Sequence, residues 1–448
     1  MKLIFLLLTI ASYWIKSETK QIISINQNEP DDIVKILPDD EKINEICEEN
    51  YYWTLDMSKM GIKNLAANNF NNPQNIRCLN LEGNEIRNLP SDLFDVQHLS
   101  NLSYLNLTNN NLDINNLKFL NGHKNLKTLI LDGNSKRILR FIPSILLPNL
   151  ENLYLRNNHL CNKISYNDLL KNFPRLKKLF LTNNNDVYID DYNRNINSNL
   201  THIFIEKNRV SNFQYLLNIP SLTHLYFDDN TRNSFCLPSS NIKVLSLKNC
   251  KLTKLNLCYT VSSLNNNNLT TLDLSQNQMT TLSVEQSNIF SFLQNLSLSY
   301  NFITEIPRNI HNLQLKILSL SYNNITEIKE RAFENSTNLQ ILSLRGNKIS
   351  HLDVNSLAGL GNLEILDLAK NHFTNLPFNW ADKFFNLHYL NVNFNNFSSF
   401  TQLSLQNNIG LKNLHLRNNN ISEIIMESLI NLPSHLIIHV SPICLKKF

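Results

Sequence analysis

The sequence predicts an α/β-type solenoid, a horseshoe with a parallel β-sheet on its concave side and irregular or short helical segments on its convex side. Two leucines flanking a single residue recur at intervals of 20 to 27 residues along most of the 448-residue chain. An Asn follows the second leucine by three positions in nearly every copy. Glycine is scarce, with only 8 in the chain, which argues against a doubly wound nucleotide-binding fold and its Gly-rich phosphate loops.

The pattern is explicit from Leu79-x-Leu81-x-x-Asn84-x-Ile86 onward. It recurs at Leu105, Leu129, Leu153, Leu179, Ile203, Leu225 and Leu245, and the Leu245 copy places Cys250 where the others have Asn. Later copies at Leu272, Leu296, Leu318, Leu342, Leu366, Leu390 and Leu414 are more regular. A degenerate first copy at Leu55 makes sixteen, and residues 435–440 form a partial seventeenth. This is the leucine-rich-repeat signature.

One copy cannot bury its own leucines, so neighbouring copies must stack and stability becomes a sum over neighbours. The alternation of the Leu-x-Leu segment predicts a short strand with leucines inward and the middle residue outward. Where the chain leaves that strand its buried peptide groups need partners, and an amide both donates and accepts, which accounts for the Asn column. Cys250 reads as a small buried substitute rather than a reactive thiol, since no His stands ready to activate it.

On these residues, over roughly 50 to 440, the chain resembles extracellular, typical-length leucine-rich-repeat proteins. These include Toll-type receptor ectodomains, chaoptin-like adhesion proteins and soluble insect immune proteins. The stretch Ile328-Lys329-Glu330-Arg331-Ala332-Phe333 looks like the convex segment of that class, in which a Phe fills the outer core. The resemblance implies an extracellular binding protein and disulfide-rich covers at the solenoid ends.

Residues 1–17 have the basic start, short apolar run and small or polar flank of a secretory signal, with cleavage expected near Ser17. The run is well short of the roughly 20 residues that span a bilayer. The remaining organisation expected is a cap segment at 18–51, a solenoid at 52–434 and a shortened C-terminal cap at 435–448, with no membrane anchor. Losing Lys2 and Lys16 would lower the formal charge from +4 to +2, a balance that does not point to nucleic acid.

Seven cysteines leave at least one unpaired, and no C-x-x-C motif suggests a metal or redox site. Cys236 and Cys258 lie in connecting segments of adjacent copies and can staple them, while Cys47 can reach Cys78; sequence alone does not settle either pair. Cys444 has no local partner. Either the chain is a shortened relative of a membrane receptor, or Cys444 joins a second chain in a homo- or heterodimer.

On the concave face the middle positions of five successive copies carry Ile130, Tyr154, Phe180, Phe204 and Tyr226, an aromatic ladder, where later copies carry Ser246, Asp273, Ser297, Ser319, Ser343 and Asp367. Cross-strand packing that merely stabilises the sheet is one reading. The other is a binding patch turned toward solvent, since aromatic anchors suit interfaces. Lys178, His202, His224 and Asp228 lie beside the ladder and read as polar rim contacts rather than a metal site, because two histidines lack a third fixed ligand.

Glycan acceptors N-x-S/T stand at Asn101, Asn106, Asn199, Asn268, Asn295, Asn324, Asn335, Asn396 and Asn420. Glycans at Asn106 and Asn295 would frame the ladder. No convergent acid, base or nucleophile suggests an enzyme, and no cofactor is expected. The expected function is recognition of an extracellular protein or microbial ligand, as an innate-immune soluble receptor or decoy; the alternative is adhesion or matrix organisation.

Overall fold

The computed structural model describes residues 22–24, 34–38, 47, 53–95, 98–134, 145–189, 198–210, 214–217, 219–230, 234–237, 241–257, 268–282, 290–307, 310, 314–406, 408–422, 424–429 and 432–441. The expected leader at 1–17, Cys258 and Cys444 lie outside them. Each of the sixteen copies contributes one strand to a single 18-stranded sheet, and so does the partial copy, as Ile437–His439. Every neighbouring pair is parallel and in register, so that Leu153 lies opposite Leu179, and Leu179 opposite Ile203.

That register stacks like on like. Leu79, Leu105, Leu129, Leu153, Leu179 and their counterparts are fully buried in one continuous core. Burying each such side chain contributes roughly 1.5 to 3 kcal/mol, so the repeated leucines dominate the stability of the fold. The convex side is irregular, with a helix at Tyr166–Asn172, a shorter one at Gln214–Leu217 and three two-stranded parallel sheets. Phe333 is fully buried in the core, where the convex segment 328–333 is expected to place it.

The Asn column binds copies together through the backbone. Asn184 donates its amide to the carbonyls of Leu155 (3.0 Å) and Leu181 (2.7 Å) while its oxygen accepts from the N–H groups of Asn158 and Leu160. The same arrangement recurs at Asn347, whose amide reaches Leu320 and Leu344. Cys250 donates its thiol to the Phe227 carbonyl at 3.4 Å, filling the Asn role by half, and burial pushes that thiol up to about 12.

Just after the inner strand, most copies place one residue in the left-handed region: Asn109, Asn157, Asn183, Lys207, Tyr300, Tyr322 and Lys370 all have φ between 53° and 57°. Gly346 occupies that position in its copy at φ 67°, and a Cβ there would meet the Tyr322 ring at 2.5 Å. Asn tolerates this conformation best after Gly, which adds a second reason for the Asn-rich composition.

The 18–51 segment, expected as an N-terminal cap, is not confined to that end. Cys47 is joined to Cys78 in the second copy by a disulfide. Yet Ile22–Ser24 pairs in parallel with the last strand, Ile22 opposite Ile437 and Ser24 opposite His439. The arm therefore covers the open edge of the strand Ile437–His439.

Candidate functional site on the concave face

Strand register puts Ile130, Tyr154, Phe180, Phe204 and Tyr226 at the same position in consecutive strands, on the opposite side of the sheet from the leucines. With Val244 they form a second apolar cluster, separate from the leucine core. Tyr154 stacks on Phe180 at 3.9 Å, Phe180 on Phe204 at 4.2 Å and Phe204 on Tyr226 at 4.5 Å, with planes within 9° of parallel.

The expectation that these rings stand open to solvent is wrong. Ile130, Tyr154, Phe180, Phe204 and Tyr226 are only 0 to 6% exposed. Strand spacing of about 4.8 Å is close to the stacking distance of aromatic rings, so each ring covers the faces of its neighbours. Flanking side chains close the edges, and Leu37, from outside the solenoid, packs against the cluster as well.

The rim is built from the neighbouring columns. Lys178, His202 and His224 stand opposite one another in adjacent strands, half-buried, and the two imidazoles stack at 4.0 Å. Their Nδ1 atoms lie 2.8 Å from the hydroxyls of Thr201 and Thr223 respectively. On the other side, Arg156 sits over the Tyr154 and Phe180 rings at 5.2 and 5.7 Å and pairs with Asp132 at 2.8 Å. A cation over stacked rings is held by their negative faces as well as by the carboxylate.

Asp228 accepts from the Ser246 hydroxyl at 2.5 Å and from the Lys248 N–H at 2.9 Å. Burial pushes its carboxyl up to about 6, against those hydrogen bonds, with Asp273 adding repulsion. Asp228 is thus tied to the next copies of the sheet. Among the described residues no cluster of His, Cys, Asp or Glu could hold a metal ion.

Of the glycan acceptors, Asn101, Asn199, Asn268, Asn335, Asn396 and Asn420 are exposed, and Asn295 and Asn324 are half-buried. Asn106 is buried, its oxygen accepting from Thr108 and its amide donating to Glu82, so a glycan there would have to break those contacts. Cys236 lies in Ser234–Leu237, which pairs with Lys254–Leu257 and sets Cys236 opposite Asn256, two positions before Cys258.

Two features escaped the sequence reading. One is an outer aromatic row on the left-handed positions: Tyr300 stacks on Tyr322 at 4.4 Å, and Lys370 lies over both Tyr322 and Phe394. Its sequence signal is a bulky residue four positions after the first leucine of the copy. The other is the polar end of the concave face at Tyr389, Asn391, Asn393, His415, Arg417 and His439, where His415 stacks on His439 at 4.1 Å.

A repeated strand with a broad, side-chain-lined inner sheet defines a solenoid, a fold that typically serves as a binding scaffold. The leucine-rich-repeat profile matches residues 313–373, and a second profile of the same description matches 292–313 and 410–432. No curated protein matches. Among solved structures, a leucine-rich-repeat protein of Leptospira interrogans superposes with a TM-score of 0.59 at 24% identity, covering 83% of this chain and 92% of that one.

The Toll–Spatzle complex of Drosophila gives a TM-score of 0.63 at 20% identity, with 86% of this chain matching 53% of the other. The complex of TLR13 with single-stranded RNA gives 0.55 at 22% identity, covering 88% and 67%. The chain has a leucine-rich-repeat solenoid fold, and that solenoid resembles those of Toll-type ectodomains. No helix among the described residues is long and apolar enough to cross a membrane.

Proposed function

We propose that this is a secreted binding protein that recognises a macromolecular ligand on its concave face, acting in innate immunity as a soluble receptor or decoy. One observation carries the reading: a second apolar cluster on the side of the sheet away from the leucine core, already met by Leu37 from outside the solenoid. Stability does not require five successive apolar residues in the middle column, since later copies fill that column with Ser and Asp. The likeness to Toll-type solenoids supports the immune assignment, and the partner is an extracellular protein or microbial ligand. Lys178, His202, His224 and Asp228, half-buried along the border of the buried column Ile130, Tyr154, Phe180, Phe204 and Tyr226, form the contact surface.

Affinity capture from extracellular fluid with the intact protein and with Phe180→Ser plus Phe204→Ser tests this. Loss of at least one partner in the double variant is expected, while equal recovery of all partners by both forms defeats the reading. Adhesion or matrix organisation, the second reading, is favoured by the length of the sheet. It requires self-association through that surface, which sedimentation of the purified protein measures.

A further inference from the structure

Stacking alone does not account for the burial of the aromatic column. Tyr226 stands at the end of the row of rings, stacked on Phe204 at 4.5 Å and followed by Ser246, and it is only 6% exposed. Tyr300, in the outer row, stacks on Tyr322 at a nearly equal 4.4 Å and is 46% exposed. Neighbours in adjacent strands cover the faces of a ring, but the edge that points away from the sheet stays open unless something lies above it. Phe180 and Phe204 are 0 and 1% exposed, so their outer edges are covered as well.

Among the described residues, the contact with this cluster that comes from outside the solenoid is Leu37. Its neighbour Ile36 is buried without belonging to the leucine core, while Lys35 and Pro38 on either side are exposed. Pro38 disfavours the helical region for Leu37 and favours an extended backbone there. A branched aliphatic side chain on a short extended segment is thus laid against a row of rings, on the side of the sheet away from the leucines.

Neither partner in this contact is needed for the coil or for the arm. Later copies complete the same column with Ser and Asp. The arm is held at its two ends by other means, through Ile22–Ser24 on the last strand and through the Cys47–Cys78 disulfide. Leu37 lies between those anchors and is half-buried, so it can lift from the rings with both anchors intact.

We propose that the column Ile130, Tyr154, Phe180, Phe204 and Tyr226 is a seat for an extended aliphatic peptide, and that Leu37 of the chain's own arm is its resident, displaceable occupant. An outside partner of the column is then a peptide segment of the same chemistry, extended and bearing a branched aliphatic side chain. Lys178, His202, His224 and Asp228 remain partly exposed with the arm in place, so such a partner meets this border first and displaces Leu37 afterwards. That second step rests on the function proposed above; the seating of the arm does not.

The dye anilinonaphthalene sulfonate, which brightens on exposed apolar surface, tests the assignment on the full chain. Leu37→Asp sets a charge against the rings and drives the segment off. This variant is expected to bind several-fold more dye than the parent. A synthetic peptide of residues 34–38, offered above the roughly millimolar effective concentration that tethering gives the arm, should displace that dye. Adding Phe180→Ser and Phe204→Ser to Leu37→Asp removes the seat, and both the extra dye and the effect of the peptide should vanish. Parent-level dye binding by Leu37→Asp, equal dye binding by the triple variant, or a peptide that displaces nothing overturns the proposal. Capture from extracellular fluid reads the outside partner and the dye reads the arm, so the two readings fail separately.

Discussion

A single Asn in this fold serves four backbone groups. Removing Asn347 leaves the carbonyls of Leu320 and Leu344 and the N–H of Ile325 buried without their partner. Asn347→Ala should therefore cost about 2 to 4 kcal/mol, read as a lowered midpoint in urea unfolding. Asp228 behaves in the opposite sense. Its folded pKa, about 6, lies above the ordinary 3.8, so the folded state binds the proton more tightly. Stability from this group is present below pH 4 and is lost as pH rises to 6. Asp228→Asn should match the parent below pH 4 and exceed it at pH 7, by no more than about 3 kcal/mol, in parallel unfolding titrations. The direction in which Tyr154 or Phe180 faces was legible, because a strand alternates with period two. Their burial was not, because it depends on the ring in the next copy and on Leu37, both remote in sequence.

The strands themselves were the most legible elements, since the Leu-x-Leu spacing names each one. The conformation that ends them was not: nothing in a Tyr or Lys announces a left-handed backbone, and Tyr300, Tyr322 and Lys370 adopt it because the turn repeats. Gly346→Ala combines a positive φ with a Cβ driven into the Tyr322 ring, so it should lower the unfolding midpoint more than Gly61→Ala, where the Cβ meets open space. At the last two strands, burial lowers His415 to about 3 and also lowers His439, with Arg417 acting on both. A depressed imidazole means the unfolded chain takes up more protons between about pH 3 and 6.5, so stability there is lost as pH falls through that window. Unfolding monitored between pH 7 and 4 should show the parent weakening more than His415→Gln.

Across the whole molecule, stability in a solenoid runs from neighbour to neighbour, and ends fray first. Here both ends are held by one arm, through Cys47–Cys78 at the first copies and Ile22–Ser24 at the last. Ile23→Pro, which cannot take part in the ladder, should bare the edge of Ile437–His439 and raise self-association in light scattering. The repeat count and the inner and outer faces were readable from period alone. The arm's course was not, since pairing between Ile22 and Ile437 spans 415 positions and leaves no periodic trace. During synthesis the first of these two strands emerges at the start and its mate near the end. At about 5 to 20 residues per second, that separation is roughly 20 to 80 seconds. Throughout that interval the arm waits without its native partner while each newest turn of the coil stands with an open edge, so completion of the fold is timed by the arrival of Ile437–His439.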